Sequence, residues 1–210
     1  MENKELLQNQ IGLFFKQEFQ GSFEEVSLAL KKILGNDAGT QIFTLPHGTP
    51  PEVPRLMLNV PGITINFAKN RIDIFSQSYT TNSNNINKVI GVMVNDLKIS
   101  ISRVGFVANY FLNGDVETLK NLFSQEKIKN LNIKEVGFRV NVLSKIGLYN
   151  CNNIQNIQNG EIKKGITSKN GLVIQRDINS LQNLQINFDF STIVNFIIDA
   201  NKETDKLLIL

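Results

Sequence analysis

The sequence predicts an α+β fold of two βα(β)3–4α units, residues 1–99 and 100–210, with antiparallel sheets and helices packed on one face. Three observations lead there. Apolar residues recur in turn at a spacing of two and at a spacing of three to four, the periods of strand and helix. Turn residues separate strand-length segments, most plainly at Asn159-Gly160 and Asn170-Gly171. The order of elements in the first half recurs in the second.

In the first unit, residues 11–19 read as a strand with Ile11, Leu13, Phe15 and Phe19 on one face. Gly21 breaks the pattern. Ser22 and Glu25 then form an S-x-x-E capping box, in which each side chain can satisfy an orphan N–H of the first helical turn. The helix carries the stripe Phe23, Val26, Leu30 and Ile33, runs to about residue 34 and is ended by Gly35. A short strand follows at 41–44. Pro46, Pro50, Pro51 and Pro54 impose an extended loop, because proline has no N–H for a ladder. Residues 55–60, 63–68 and 72–77 are predicted strands, the last two joined by a tight turn at Lys69-Asn70. Residues 79–85 read as a polar loop, and Ile86, Val89, Ile90, Met93 and Leu97 place a helix over 84–97.

The second unit opens with an apolar strand at 100–111. Gly114 breaks it, Asp115 caps, and Val116, Leu119, Leu122 and Phe123 mark a helix. Residues 132–144 form a long strand with Val136, Phe138, Val140 and Val142 on one face. Further strands fit 147–157, 161–167 and 172–179, with the two Asn-Gly pairs as hairpin turns. A last helix begins after Asp189 or Ser191 and carries Ile193, Val194, Ile197 and Ile198.

The halves match in segments, at shifts that grow along the chain. A shift of 93 sets Ile11-Gly12-Leu13 on Val104-Gly105-Phe106, Gly21 on Gly114 and Ser22 on Asp115. A shift of 100 sets Lys69-Asn70 on Lys169-Asn170, and a shift of 107 sets Ile86 on Ile193 and Ile90 on Ile197. Across most of the chain this order of elements resembles the TATA-binding-protein-like, or helix-grip, architecture, in which two units join into one curved sheet. A likeness of fold carries no function by itself. A shorter motif, Ser102-Arg103-Val104-Gly105-Phe106-Val107-Ala108-Asn109-Tyr110 with Gly137-Phe138-Arg139 further on, is similar to a sporadically distributed family of uncharacterised bacterial proteins. In that family an Arg-apolar-Gly-apolar strand is followed closely by Asn; here Ala108 departs from its aromatic-rich pattern. The resemblance implies no particular activity.

Composition narrows the function. The chain has 210 residues, 41% apolar and 20% charged, a globular composition. Asparagine is abundant, with 28 residues, and together with Ile and Lys this reflects an AT-rich coding bias. The formal charge is +3 and the only basic doublets are Lys31-Lys32 and Lys163-Lys164, so no basic stripe of the kind nucleic-acid binders carry is visible. Residues 1–10 are polar and lack the apolar core of a signal peptide, and no apolar run is long enough to span a bilayer. Cys151 is the sole cysteine, which excludes an intramolecular disulfide and suits a reducing, cytoplasmic setting.

The chemistry of catalysis is thin. His47, the only histidine, sits in the proline-rich loop as a turn residue, and no Ser-His-Asp set exists without it. One His and one Cys do not make a zinc site, and no glycine pattern cradles phosphate. Neither a metal nor a cofactor is expected. Asp73 and Asp177 are the one candidate carboxylate pair, for a hydrolase. Alternation instead gathers Arg103, Asn109, Arg139 and Asn141, with Thr64, Asn66, Asp73, Gln175 and Asp177, opposite the apolar sides of their strands. The leading expectation is therefore a non-enzymatic binding or interaction module, in a bacterial or mobile-element system, whose polar face presents Arg103, Asn109, Arg139 and Asn141 to a protein or small ligand. Nucleic-acid binding through a curved duplicated sheet and a carboxylate hydrolase are the alternatives. The apolar end Leu207-Leu208-Ile209-Leu210 docks on the core or mediates self-association.

Overall fold

The computed structural model describes residues 4–35, 38–114, 137–164, 167–182 and 186–208. The first half contains β1 (Glu5–Phe15), α1 (Phe23–Leu34), β2 (Gly39–Ile42), β3 (Leu56–Val60), β4 (Ile63–Phe67), β5 (Arg71–Ser76) and α2 (Tyr79–Gly91), which continues into a π-helical turn (Val92–Asp96). The second half contains β6 (Ile101–Leu112), β7 (Gly137–Ile146), β8 (Tyr149–Lys164), β9 (Thr167–Ser180) and α3 (Phe190–Thr204). The helix expected on Val116, Leu119, Leu122 and Phe123, its cap Asp115, and the first part of strand 132–144 lie outside the described residues.

The strands form one antiparallel sheet in the order β2-β3-β4-β5-β1-β6-β9-β8-β7. The first strands of the two halves, β1 and β6, pair at its centre, so both halves share a single sheet. Outward from β1 come β5, β4, β3 and β2; outward from β6 come β9, β8 and β7. On each side the first strand pairs with the last of its half, and the others follow in reverse chain order.

Alternation separates the two faces. Leu58, Ile65, Ile74, Ile11, Phe106 and Ile178 are successive cross-strand partners in one row, and all are fully buried. Burying each such side chain contributes roughly 1.5–3 kcal/mol. The helices complete the same hydrophobic cluster with Val26 and Leu30 of α1, Ile86, Val89 and Ile90 of α2, and Ile193, Phe196, Ile197 and Ala200 of α3. The spacings three and four put these residues on single helical stripes. α1 lies against β2, β3 and α2, α2 also against β5 and α3, and α3 against β6, β7 and β9.

The caps follow local chemistry. Ser22 Oγ accepts from the Glu24 and Glu25 N–H groups at 3.2 and 3.3 Å, and it donates to the Glu24 carboxylate. The Ser22 half of the expected box is thus present, at Glu25 N–H, while the carboxylate that engages Ser22 is that of Glu24 and it takes the hydroxyl rather than the backbone N–H. Gly35, with φ 112°, ends α1 in a conformation that disfavours other residues. Asp189 caps α3 by accepting from Thr192 N–H at 2.7 Å.

Several expected boundaries move. β1 starts at Glu5 rather than residue 11, because pairing with β6 from Glu5↔Phe111 onward recruits a polar stretch with little strand signal of its own. Residues 79–85 are helical, not a loop: Ser78 caps α2 by accepting from Thr81 N–H, and Asn9 Oδ1 accepts from Tyr79 N–H at 2.7 Å. The predicted strands 147–157 and 161–167 are one strand, β8. The two Asn-Gly pairs are not turns. Gly160 and Gly171 face each other inside the long β8–β9 hairpin, and Lys169-Asn170 is strand where Lys69-Asn70 closes a turn. Glycine is required at 171 by crowding: a Cβ there would meet the Phe111 ring and come within 2.6 Å of the Leu112 carbonyl oxygen.

Beneath α3 lies a polar island in the apolar face. Arg176, fully buried, donates to Asn153 Oδ1 at 2.8 Å and Gln155 Oε1 at 3.3 Å. Gln155 Oε1 also accepts from Leu208 N–H at 2.6 Å, and Leu207 packs on the core, so the described part of the C-terminal segment is docked. Tyr110 Oη lies 3.1 Å from Asp205 Oδ1 and 3.4 Å from Thr204 Oγ1. Burial first, opposed in part by the Thr204 hydrogen bond, pushes the Tyr110 hydroxyl up to about 12.

Two outcomes are expected. Gly171→Ala should destabilise the fold by roughly 1–3 kcal/mol in urea unfolding, since the clash includes rigid backbone. Tyr110 is protonated in both states below its unfolded value near 10, and the fold resists its ionisation. Its stabilising contribution should therefore be intact below about pH 10 and be lost as pH rises toward about 12. Alkaline melting curves of Tyr110→Phe should lack that component.

Candidate functional site

The opposite face carries the polar residues. Asn66, Asp73, Gly12, Gly105, Asn179 and Asn152 are successive partners in one row across β4-β5-β1-β6-β9-β8. Gly12 and Gly105 face each other at the middle of the sheet, and the missing side chains leave a depression of about 270 Å³ floored by backbone. Phe14, Arg71 and Arg103 wall one end; Gln10, Val107 and Asp177 wall the other; Asp73 and Asn179 stand at the sides.

Phe14 is flanked by its two cross-strand partners, Arg71 and Arg103. The Arg103 guanidinium carbon lies 3.7 Å from the Phe14 ring centroid, a stacked cation–π contact, whereas that of Arg71 is at 5.7 Å. Arg71 is committed elsewhere: its Nε lies 2.7 Å from Asp73 Oδ2 in an ion pair. Gln10 Nε2 donates to Asp73 Oδ1 at 3.0 Å, so the buried Asp73 is held from two sides. Arg103 has no comparable partner. Among the described residues no hydrogen bond or ion pair reaches its guanidinium, and its Nε is buried and unpartnered. Burial holds its pKa below the usual range; attraction from Asp177 opposes this shift and repulsion from Arg71 adds to it. Asp177 accepts from Asn179 Nδ2 at 3.0 Å, a neutral partner.

The four expected site residues share this face but not one site. Asn109 and Arg139 come together in a second depression of about 290 Å³ with Gln158 and Gly137. There Gln175 Nε2 donates to Asn109 Oδ1 at 3.3 Å and Asn156 Nδ2 to Gln175 Oε1 at 3.0 Å, an amide ladder across β6, β9 and β8. Asn141 lies outside it and donates to Asn152 at 3.3 Å. Six residues along β6 and three strand spacings across separate the backbones of Arg103 and Arg139, about 25 Å on ordinary strand geometry. Alternation in the sequence places Gly105 on this face with Arg103, but Phe14, Arg71 and the partner glycine Gly12 were missed. The signal for them was an aromatic and two central glycines on the polar side of otherwise well-alternating strands.

The remaining candidates fall into place. Asp73 and Asp177 line the same depression, yet three strand spacings and a two-residue offset put their backbones about 16 Å apart. His47 is exposed in the proline-rich loop, which Arg55 ties down by donating to the Val53 and Thr49 carbonyls at 2.8 and 3.1 Å. Cys151 is buried, and burial pushes its thiol up, away from the thiolate a nucleophile needs. Among the described residues no group of three or more His, Cys, Asp or Glu could hold a metal ion, and no helix is long and apolar enough to cross a membrane.

Fold and face together define a class: a mixed α+β protein that has, among the described residues, a nine-stranded antiparallel sheet, three helices and a polar sheet face. Neither a family model nor a curated protein matches the chain.

The glycine pair itself can be tested. An Ala Cβ at 105 would meet Asn179 Cβ at 3.5 Å and the Phe14 ring at 3.9 Å, ordinary contacts; at position 12 it would meet that ring at 3.2 Å. Gly105→Ala should therefore raise stability by roughly 0.5–1 kcal/mol in urea unfolding, the usual cost of a mid-strand glycine. Gly12→Ala should gain less or lose. Equal losses in both would mean that packing, not open space, requires the glycines.

Proposed function

We propose that this chain is a non-enzymatic binding module, built from two copies of one unit, whose ligand rests in the glycine-floored depression and is held by Arg103. The carrying observation is the state of Arg103: part-buried, stacked on Phe14, lining the hollow and, unlike Arg71 and Arg176, with no hydrogen bond or ion pair from described residues to its guanidinium. A buried donor left unsatisfied costs about 1–3 kcal/mol, more for a charged group, so an incoming oxyanion recovers energy that the free protein lacks. The planar guanidinium suits bidentate pairing with carboxylate or phosphate.

Topology supports the two-copy reading, since strand order repeats on either side of the β1–β6 junction. So does the register. The shift of 93 makes Gly12 equivalent to Gly105, and the same two residues are cross-strand partners. Equivalence and pairing coincide at one position only, as they do where a two-fold axis passes between antiparallel strands. The motif likeness around Arg103 supports a bacterial setting, and a single buried thiol is compatible with a reducing cytoplasm.

Titration with acetate and with inorganic phosphate, followed through the Arg103 Nε–H resonance, tests the reading. Saturable shifts are expected in the wild type, at least tenfold weaker in Arg103→Ala and intermediate in Arg103→Lys, all three with unchanged folded-state spectra. Binding that ignores Arg103, or a salt-sensitive association with oligonucleotides that survives Arg103→Ala, would place the function elsewhere.

A further inference from the structure

Four charged side chains line the depression, and they differ in how they are used. Arg71 and Asp73 cancel as an ion pair, with Gln10 supporting the carboxylate. Arg103 and Asp177 stay unpaired. Arg103 is fixed by stacking on Phe14, and Asp177 is engaged only by the neutral amide of Asn179. Val107, the cross-strand partner of Asp177, lies four residues along β6 from Arg103, a backbone separation of about 13 Å. The two charges thus enter the hollow from opposite ends, near enough for Asp177 to attract the Arg103 guanidinium, and no described hydrogen bond or ion pair joins them.

Building on the binding reading above, we infer that the ligand is a small dipolar molecule, with an oxyanion that pairs with Arg103 at one end and an ammonium that pairs with Asp177 at the other. A purely anionic ligand would satisfy Arg103 but face the Asp177 carboxylate in poorly solvated surroundings. A purely cationic one would meet the reverse conflict at Arg103. Only a molecule carrying both charges compensates both ends, and complementarity of this kind sets specificity by penalising the wrong partner. The hollow, about 270 Å³, lies near the lower end of small-molecule sites, so it suits an amino-acid-sized ligand rather than a polymer. Over Gly12 the floor is covered by the Phe14 ring edge and the Asp73 carboxylate, so the ligand's chain has its closest approach to the backbone on the Gly105 side.

The test is a length series of unbranched amino acids, from glycine upward with the amine at the far end. Fatty acids and alkylamines of matched length serve as single-charge controls, and phosphoethanolamine distinguishes phosphate from carboxylate. Each is titrated calorimetrically into the full chain and into Asp177→Asn and Arg103→Gln. Asp177→Asn is isosteric and leaves an oxygen for the Asn179 amide. One member of the dipolar series should bind at least tenfold tighter than its matched fatty acid. Asp177→Asn should remove that advantage without weakening the fatty acid, and Arg103→Gln should weaken both at least tenfold. If the fatty acid binds as tightly as its dipolar counterpart, or the advantage survives Asp177→Asn, the dipolar class is wrong while the anion site stands. If Arg103→Gln leaves every affinity unchanged, the binding reading fails with it. Absence of saturable binding across the whole series overturns the inference outright.

Discussion

The pairing of β1 with β6 is the constraint on which the rest of this structure depends. It joins two half-sheets into one and sets which side of every strand faces the helices. Side chains alternate with a period of two, so a slip of one residue at this junction would turn one strand over, sending either Ile11 and Leu13 or Val104 and Phe106 to the polar side and Gln10 and Phe14, or Arg103 and Val107, into the core. The register that buries all four apolar residues also sets Gly12 against Gly105. One pairing therefore fixes the core and the position of the hollow together. The site needs no dedicated loop; it is a by-product of register, sharpened by the absence of two side chains.

That economy explains why the candidate site sits on strands rather than at strand ends. Residues on paired central strands have little freedom, and Phe14, Arg71 and Arg103 form a single cross-strand row whose spacing the ladder dictates. The Arg71–Asp73 pair and the Gln10 amide hold the side wall, so the orientation of Arg103 relies on stacking alone. A preformed arrangement of this kind spares a ligand much of the ordering cost that binding to a mobile loop entails.

How much was legible in the sequence follows from which forces act locally. Alternation in 101–112 and the helical stripes of α1 and α3 are written into neighbouring residues, and those elements appear where expected. The first turn of α2 at Tyr79 and the polar start of β1 are held by distant partners, Asn9 and β6, and local propensity does not report them. Asn159-Gly160 and Asn170-Gly171 misled for a related reason. Their glycines answer a tertiary demand for space, beside Val173 and the Phe111–Leu112 backbone, rather than a local demand for a turn. The polar face itself was visible from alternation, and Arg103 with it. The division of that face into two hollows was not, because lateral position depends on strand order, and period-two patterns carry none.

Two desolvated arginines on adjacent strands show why burial alone does not mark a site. Arg176, on β9, is fully enclosed on the helix side, and its guanidinium is answered by the Asn153 and Gln155 side-chain oxygens, which also tie in the C-terminal segment through Leu208. Its lowered pKa comes first from that burial, and the protein meets the cost with neutral acceptors of its own. Arg103, on β6, is only part-buried and has the same first cause for its lowered pKa, but its surroundings offer an aromatic face and open space in place of acceptors. A closed arrangement of the first kind serves architecture, since both terminal nitrogens of the guanidinium find acceptors within the chain, although its Nε is left without one. An open one of the second kind is incomplete until something outside the chain supplies the acceptor. The difference lies in the partners: Arg176 keeps side-chain acceptors for both terminal nitrogens, and Arg103 has none among the described residues.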